Sequence, residues 1–246
     1  MMTDLNDNVF LDIDPDSNMY PNVNFDVNTA DSLVTSNEYL TVQQYSDSFE
    51  MDKFDVTMIN YNIRSFHQNG QTFEYFLSTN PFSHDIIVLS ETWNKSSDVQ
   101  LCKIDGYNSF HSYHEGRSGG VSVFSKNIFP CSQILYLSEV SENIEICVVA
   151  VNIRGFLINV VGIYRPHGGT IENFTDTLTA KLNNLPASDI VCVLGDFNVN
   201  ISDYNSNQVT DFMSAMYSLH FLPTITSPTR FDSSYNNINL TTLDHI

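Results

Sequence analysis

Three apolar stretches of this chain stop at a carboxylate or a carboxamide. Ile86-Ile87-Val88-Leu89 runs into Glu91, Ile190-Val191-Cys192-Val193-Leu194 into Asp196 and Asn198, and the segment 55–62 closes on Asn62. Short Val/Ile-rich runs bounded by polar residues read as strands. The segments 144–153 and 156–164 are of the same kind and flank Arg154-Gly155, where a glycine can take the positive φ of a tight hairpin turn. Gly119-Gly120-Val121-Ser122-Val123-Phe124 alternates as a half-exposed strand does. Helical spacing appears between these runs. Phe66, Phe73, Phe76 and Leu77 mark one face, Phe212, Met213, Met216 and Leu219 another. Ile171, Phe174, Leu178, Leu182 and Leu185 mark a third, with Thr170 as N-cap and Pro186 just past the end. Strands joined by hairpins with helices interspersed indicate a mixed α/β domain rather than a purely parallel one.

Charge divides the chain. Residues 1–54 carry 11 acidic residues and one basic residue, so about half of the formal net charge of −19 sits in this tail. Its apolar residues are scattered among Asn and Asp without a period. It is expected to stay disordered apart from a short helix around 36–45, because it cannot bury enough surface to offset its chain entropy. Residues 55–246 are the expected folded domain. So acidic a protein does not hold nucleic acid on a basic surface; a metal ion and a few placed cations would have to overcome the repulsion. Cys102, Cys131, Cys147 and Cys192 form no Cys-x-x-Cys pair and read as reduced thiols of an intracellular protein. Residues 1–7 lack the basic start and apolar run of a secretory signal, so none is expected, and no stretch reaches the ~18 apolar residues that a membrane span needs.

Ligands of α/β sheets sit beyond the carboxyl ends of strands. Glu91 and Asp196 delivered there, with the amides of Asn62 and Asn198, make a hard oxygen-rich site suited to Mg²⁺, whereas the thiolate or imidazole cluster of a zinc site is missing. Any one of these residues alone would pass for a solvated strand end or a helix cap. On an extended segment residues i and i+2 face the same way. Asp196 and Asn198 are therefore expected to enter one pocket while Phe197 anchors the backbone.

Seven segments then occur in one order: Asn60-Tyr61-Asn62-Ile63-Arg64-Ser65, Leu89-Ser90-Glu91-Thr92-Trp93, Gly116-Arg117-Ser118-Gly119-Gly120-Val121, Gly162-Ile163-Tyr164-Arg165-Pro166, Leu194-Gly195-Asp196-Phe197-Asn198, Ser227-Pro228-Thr229-Arg230 and Leu243-Asp244-His245-Ile246. On these the chain resembles the endonuclease/exonuclease/phosphatase superfamily, and within it the apurinic-endonuclease-like domain of LINE-type non-LTR retrotransposons. The resemblance implies a four-layer sandwich, two mixed β-sheets face to face with helices outside, and a site at the rim where both sheets end. It implies that Glu91 holds Mg²⁺ (or Mn²⁺) with Asn62 nearby, and that Asp196 orients and deprotonates the attacking water. Asn198 would hold that water and a phosphate oxygen, Tyr164 would donate to the phosphate or leaving oxygen, and Asp244 would orient a catalytic histidine. Thr229 and Arg230 would lie at the rim, and Arg165 is a candidate phosphate contact.

The implied activity is Mg²⁺-dependent nicking of DNA by a nuclear protein with no membrane or evident protein partner. The family ends in a Ser-Asp-His segment, and Ile246 falls ahead of it. The last strand and its histidine are therefore expected to be missing, and activity to be weak or absent. A phosphatase or phosphodiesterase acting on an inositol phosphate or lipid, and a non-catalytic remnant, are the alternatives.

Overall fold

Alternate residues of the Val/Ile-rich strands face two different cores, and this sorting builds the architecture. The computed structural model describes residues 56–245 apart from 81–82, 99, 117, 226–228, 235–236 and 242–243. The acidic tail and the helix expected at 36–45 lie outside the described residues.

The elements run β1 (Met58–Asn62), α1 (Phe66–Thr79), β2 (Ile86–Ser90), β3 (Tyr107–Ser112), β4 (Val121–Lys126), β5 (Cys131–Gln133), β6 (Glu139–Val140), β7 (Glu145–Ile153) and β8 (Phe156–Tyr164). They continue with α2 (Ile171–Asn183), β9 (Ile190–Asp196), α3 (Asn207–Ser218), β10 (Arg230–Ser234), β11 (Asn237–Thr241) and β12 (Asp244–His245). A first, four-stranded sheet has the order β1-β2-β4-β3, with β1 and β2 parallel and the other pairs antiparallel. A second, six-stranded sheet has the order β12-β9-β8-β7-β5, with β6 also on β7 and a single parallel pair, β8 with β9. The β10–β11 hairpin stands apart from both sheets.

Ile86 and Val88 point into a core shared with Val149, Val151, Val160 and Leu194 of the second sheet. Ile87 and Leu89, one residue out of phase, point the other way, onto Phe66 and Phe73 of α1. On the far side Ile146, Val148, Val161 and Val193 face Phe174, Leu178 and Leu182 of α2 and Phe212 and Met216 of α3. Helix, sheet, sheet and helices thus form four layers, as the resemblance implied. The central strands β2, β7 and β8 are mostly apolar on both faces because both faces are covered.

The helices start where the sequence signals them. Thr170 Oγ1 accepts from the Asn173 N–H at 3.1 Å to cap α2. The hairpin turn at Arg154 and Gly155 has φ of 52° and 94°. Strand β9 runs two residues beyond its apolar run, to Asp196. Strands β3, β5 and β6 carry Asn, Ser, Gln or Glu at half-exposed or exposed positions and have no apolar run to mark them. The four cysteines are free thiols. Burial pushes Cys102 and Cys147 up to about 12, so they are inert packing residues at neutral pH. No helix among the described residues is long and apolar enough to cross a membrane.

Candidate active site

The two inner faces end at one rim, and the polar residues sit there. Across the second sheet the register partners Glu145, Tyr164 and Asp196 form a row, and Asp244 holds the next position, opposite Asp196. From the first sheet come Asn62, the last residue of β1, and Glu91, the residue after β2. The side-chain nitrogen of Asn62 donates to Glu91 Oε1 at 2.9 Å and to Asp196 Oδ2 at 3.0 Å. A carboxamide nitrogen has two hydrogens, so each carboxylate takes one. The Asn62 Oδ1 accepts from the Arg64 N–H at 3.3 Å. Two acids that are far apart in the chain and belong to different sheets are thereby held on either side of one amide.

The backbone around the crevice is bent. Arg64, Ser65, Glu91, Trp93 and Asn198 all have φ between 45° and 87°. Left-handed conformations cost non-glycine residues about 1–2 kcal/mol each and persist only where neighbours hold them. For the 91–93 segment the neighbours are backbone groups. The N–H groups of Ser65 and Phe66 donate to the carbonyls of Glu91 and Thr92, both at 2.8 Å, and Trp93 N–H donates to Gly119 at 2.8 Å. Gly119 and Gly120 have φ of 92° and 90°, and a Cβ on Gly119 would enter the Glu145 carboxylate. That buried carboxylate accepts from the Gly120 N–H. Burial holds its pKa above the ordinary carboxylate value, the Gly120 bond and His114 oppose the rise, and Glu91 adds to it.

The 196–198 segment is not extended, contrary to the alternation expected of it. Strand β9 stops at Asp196 and Asn198 is left-handed. The Asn198 N–H folds back onto Asp196 Oδ1 at 3.1 Å, and its amide donates to the Arg165 carbonyl at 2.9 Å. An Asp side chain that accepts from the backbone two residues on outweighs the strand tendency here. Phe197 does anchor the turn, 6.1 Å between ring centroids from both Phe174 and Phe212.

Arg165 is buried, and its guanidinium meets main chain. Nε donates to the Phe197 carbonyl at 2.9 Å, Nη2 to Asn198 at 2.6 Å and Nη1 to Gly169 at 2.9 Å, while its own N–H donates to Asp196 at 2.9 Å. Burial lowers its pKa, and Asp196 and Tyr164 oppose that. The Tyr164 phenol is pushed well above its ordinary value by burial first, then by Glu91, Asp196 and Glu145. It stays protonated at any working pH and can only donate to an anion.

The structure thus brings together Asn62, Glu91, Tyr164, Arg165, Asp196 and Asn198, with Asp244 at the adjoining register position. Thr229 and Arg230 lie at the start of the separate β10–β11 hairpin. Sequence reasoning missed two members. Asn60, fully buried and sharing Asn62's strand face, has neither amide atom hydrogen-bonded. Glu145 opens a strand instead of closing one, but the expected turn at 154–155 already sets residue 145 opposite Tyr164.

Among the described residues no three His, Cys, Asp or Glu side chains are grouped to hold a metal ion. The set present is two carboxylates, hard oxygen ligands, joined by a carboxamide. It fits Mg²⁺, which takes one or two carboxylates and keeps several waters, and does not fit zinc.

A model of the Endonuclease/Exonuclease/phosphatase family matches residues 59–246. A comparison with curated proteins found no match. Among solved structures the chain is similar to the endonuclease domain of TRAS1, a telomere-specific non-LTR retrotransposon, at 16% identity over 77% of this chain and 82% of that one, with a TM-score of 0.59. It is also similar to the 3′ phosphatase NExo from Neisseria bound to product DNA hairpin, at 14% identity over 77% and 85% of the two chains and a TM-score of 0.53. A third is the AP endonuclease LMAP from Leishmania major, at 15% identity over 69% of each chain and a TM-score of 0.51. At these identities the likeness concerns the fold.

Proposed function

Because the chain belongs to the endonuclease/exonuclease/phosphatase family, whose members are nucleases and phosphodiesterases, we propose that it is a Mg²⁺-dependent phosphodiesterase that nicks DNA, of the retrotransposon endonuclease type. Glu91 would hold the ion with Asn62 beside it, and Mn²⁺ would substitute. The bound ion supplies a Lewis acid that draws off the negative charge building on phosphate oxygens. Asp196, kept in place by Asn62, orients the attacking water and takes its proton. Tyr164, locked in its protonated form, donates to the oxygen on which charge develops. Asn198 supports Asp196 through its N–H, Asp244, at the register position opposite Asp196, is assigned the orienting of a histidine, and Thr229 and Arg230 are assigned to the DNA-facing rim. The catalytic domain is residues 55–246 and the acidic 1–54 is an appendage. A DNA substrate would make the nucleus its place of action.

The observation that carries this reading is the single Asn62 amide shared by Glu91 and Asp196. It makes one crevice of two strand ends, with an acid for the ion and an acid for the water. Supercoiled plasmid tests it. Nicked circles should accumulate in Mg²⁺, at the weak rate expected from the sequence, and none in EDTA. Cleavage that persists in EDTA, or no phosphodiester cleavage in Mg²⁺ or Mn²⁺, overturns it.

A further inference from the structure

We infer that Arg165 is a positioning residue: it fixes the turn that carries Asp196 into the crevice, and does so through the fork of its guanidinium instead of its charge. The inference concerns the site read above as a phosphodiesterase, and only its kinetic readout depends on that reading.

Three consecutive carbonyls, those of Asp196, Phe197 and Asn198, accept from this one residue, the first from its N–H and the others from Nε and Nη2. The Arg165 carbonyl in turn accepts from the Asn198 amide. Four hydrogen bonds therefore join one residue to one three-residue turn. The fifth, from Nη1 to Gly169, ties the guanidinium to the segment leading into α2. The need for them is local. Asn198 is left-handed, so beyond Asp196 the turn has left the β8–β9 ladder that would otherwise satisfy the carbonyls of Phe197 and Asn198. Buried carbonyls without donors are costly. A planar guanidinium presents its donors in a rigid fork that reaches three acceptors at once, which the compact ammonium of lysine cannot do. The side chain is also spent: Arg165 is only 8% exposed, with each of its three nitrogens on main chain.

The test compares wild type with Arg165→Lys and Arg165→Met. It follows thermal unfolding, amide hydrogen exchange over residues 196–199, and plasmid nicking in Mg²⁺ at several salt concentrations. Both variants should exchange faster over 196–199 and lose kcat by about a hundredfold. KM and its salt dependence should stay unchanged. Arg165→Lys keeps the stem and the charge, so it decides the matter if Arg165→Met does not unfold cooperatively. Wild-type exchange and kcat in Arg165→Lys would overturn the inference. So would a raised KM whose salt slope falls by about one with kcat intact, the behaviour of a phosphate contact. Should wild type cut no DNA, the phosphodiesterase reading fails, while the exchange data still judge the clamp on their own.

Discussion

The crevice has two walls that solve the same problem differently. The 91–93 wall is held in many places, by backbone bonds to β4's leading glycines and to the start of α1, with Glu145 buttressing the glycines from behind. The 196–198 wall hangs largely on Arg165. Both present a carboxylate from the end of a buried strand, and both bend through left-handed non-glycine residues. The contrast teaches that strain at a functional site can be restrained by a mesh or by a peg. A mesh gives way gradually, whereas a peg gives way at one residue.

The largest effect should come from removing what the walls carry. Glu91→Gln and Asp196→Asn keep size and shape, and each should reduce nicking by about a thousandfold or more with little change in Tm. Unequal losses of two orders of magnitude would show that the acids do not share one step. Next is the mesh. Gly119→Ala places a methyl at φ 92° against the Glu145 carboxylate, and should cost about 2–3 kcal/mol in urea unfolding. Hydrogen exchange should quicken over 91–93 and not over 196–199; loosening of both walls would mean they are one unit. Third, Glu145→Ala leaves the Gly120 N–H without its acceptor and should cost about 1–3 kcal/mol. Glu145→Gln, which keeps a carbonyl oxygen there, should cost less than about 1 kcal/mol. Equal losses would show that the charge matters and not the bond.

A further effect is set by pH and belongs to the first sheet. His84, just ahead of β2, and His111, in β3, are buried, and burial lowers both to about 4. The unfolded chain therefore binds more protons than the folded one between about 6.5 and 4. Stability from the neutral rings is complete above that range and is lost as pH falls through it, by at most about 3 kcal/mol for each ring. Chemical denaturation of His111→Gln across pH 7 to 4 should show a shallower decline than wild type; an identical slope would remove His111 from the account.

The layers were legible because their cause is local. Runs such as Ile86 to Leu89 need cover on both sides, and the spacing of Phe174, Leu178 and Leu182 states which helix face supplies it. The two acids were legible because a carboxylate at the end of a buried run is conspicuous. What escaped depends on pairing between distant segments. Arg165 reads as a phosphate contact until the carbonyls of residues 196–198 arrive over it. Glu145 reads as a solvated strand start until Gly120 meets it. Asn198 reads as strand because nothing in its own neighbourhood announces the partner 33 positions away.

The hydrogen bond from the Asn62 amide to Asp196 closes a loop of 134 residues. Contacts of such separation form late, because the entropy of closing the loop must be met before the contact can contribute. Each sheet contains one parallel pair whose strands are linked through a helix, α1 between β1 and β2 and α2 between β8 and β9. During synthesis Glu91 and its glycines can settle while Asp196 has not yet been made. Closing of the crevice is therefore a late event in folding, and Asn62 cannot join the two carboxylates before both sheets have docked.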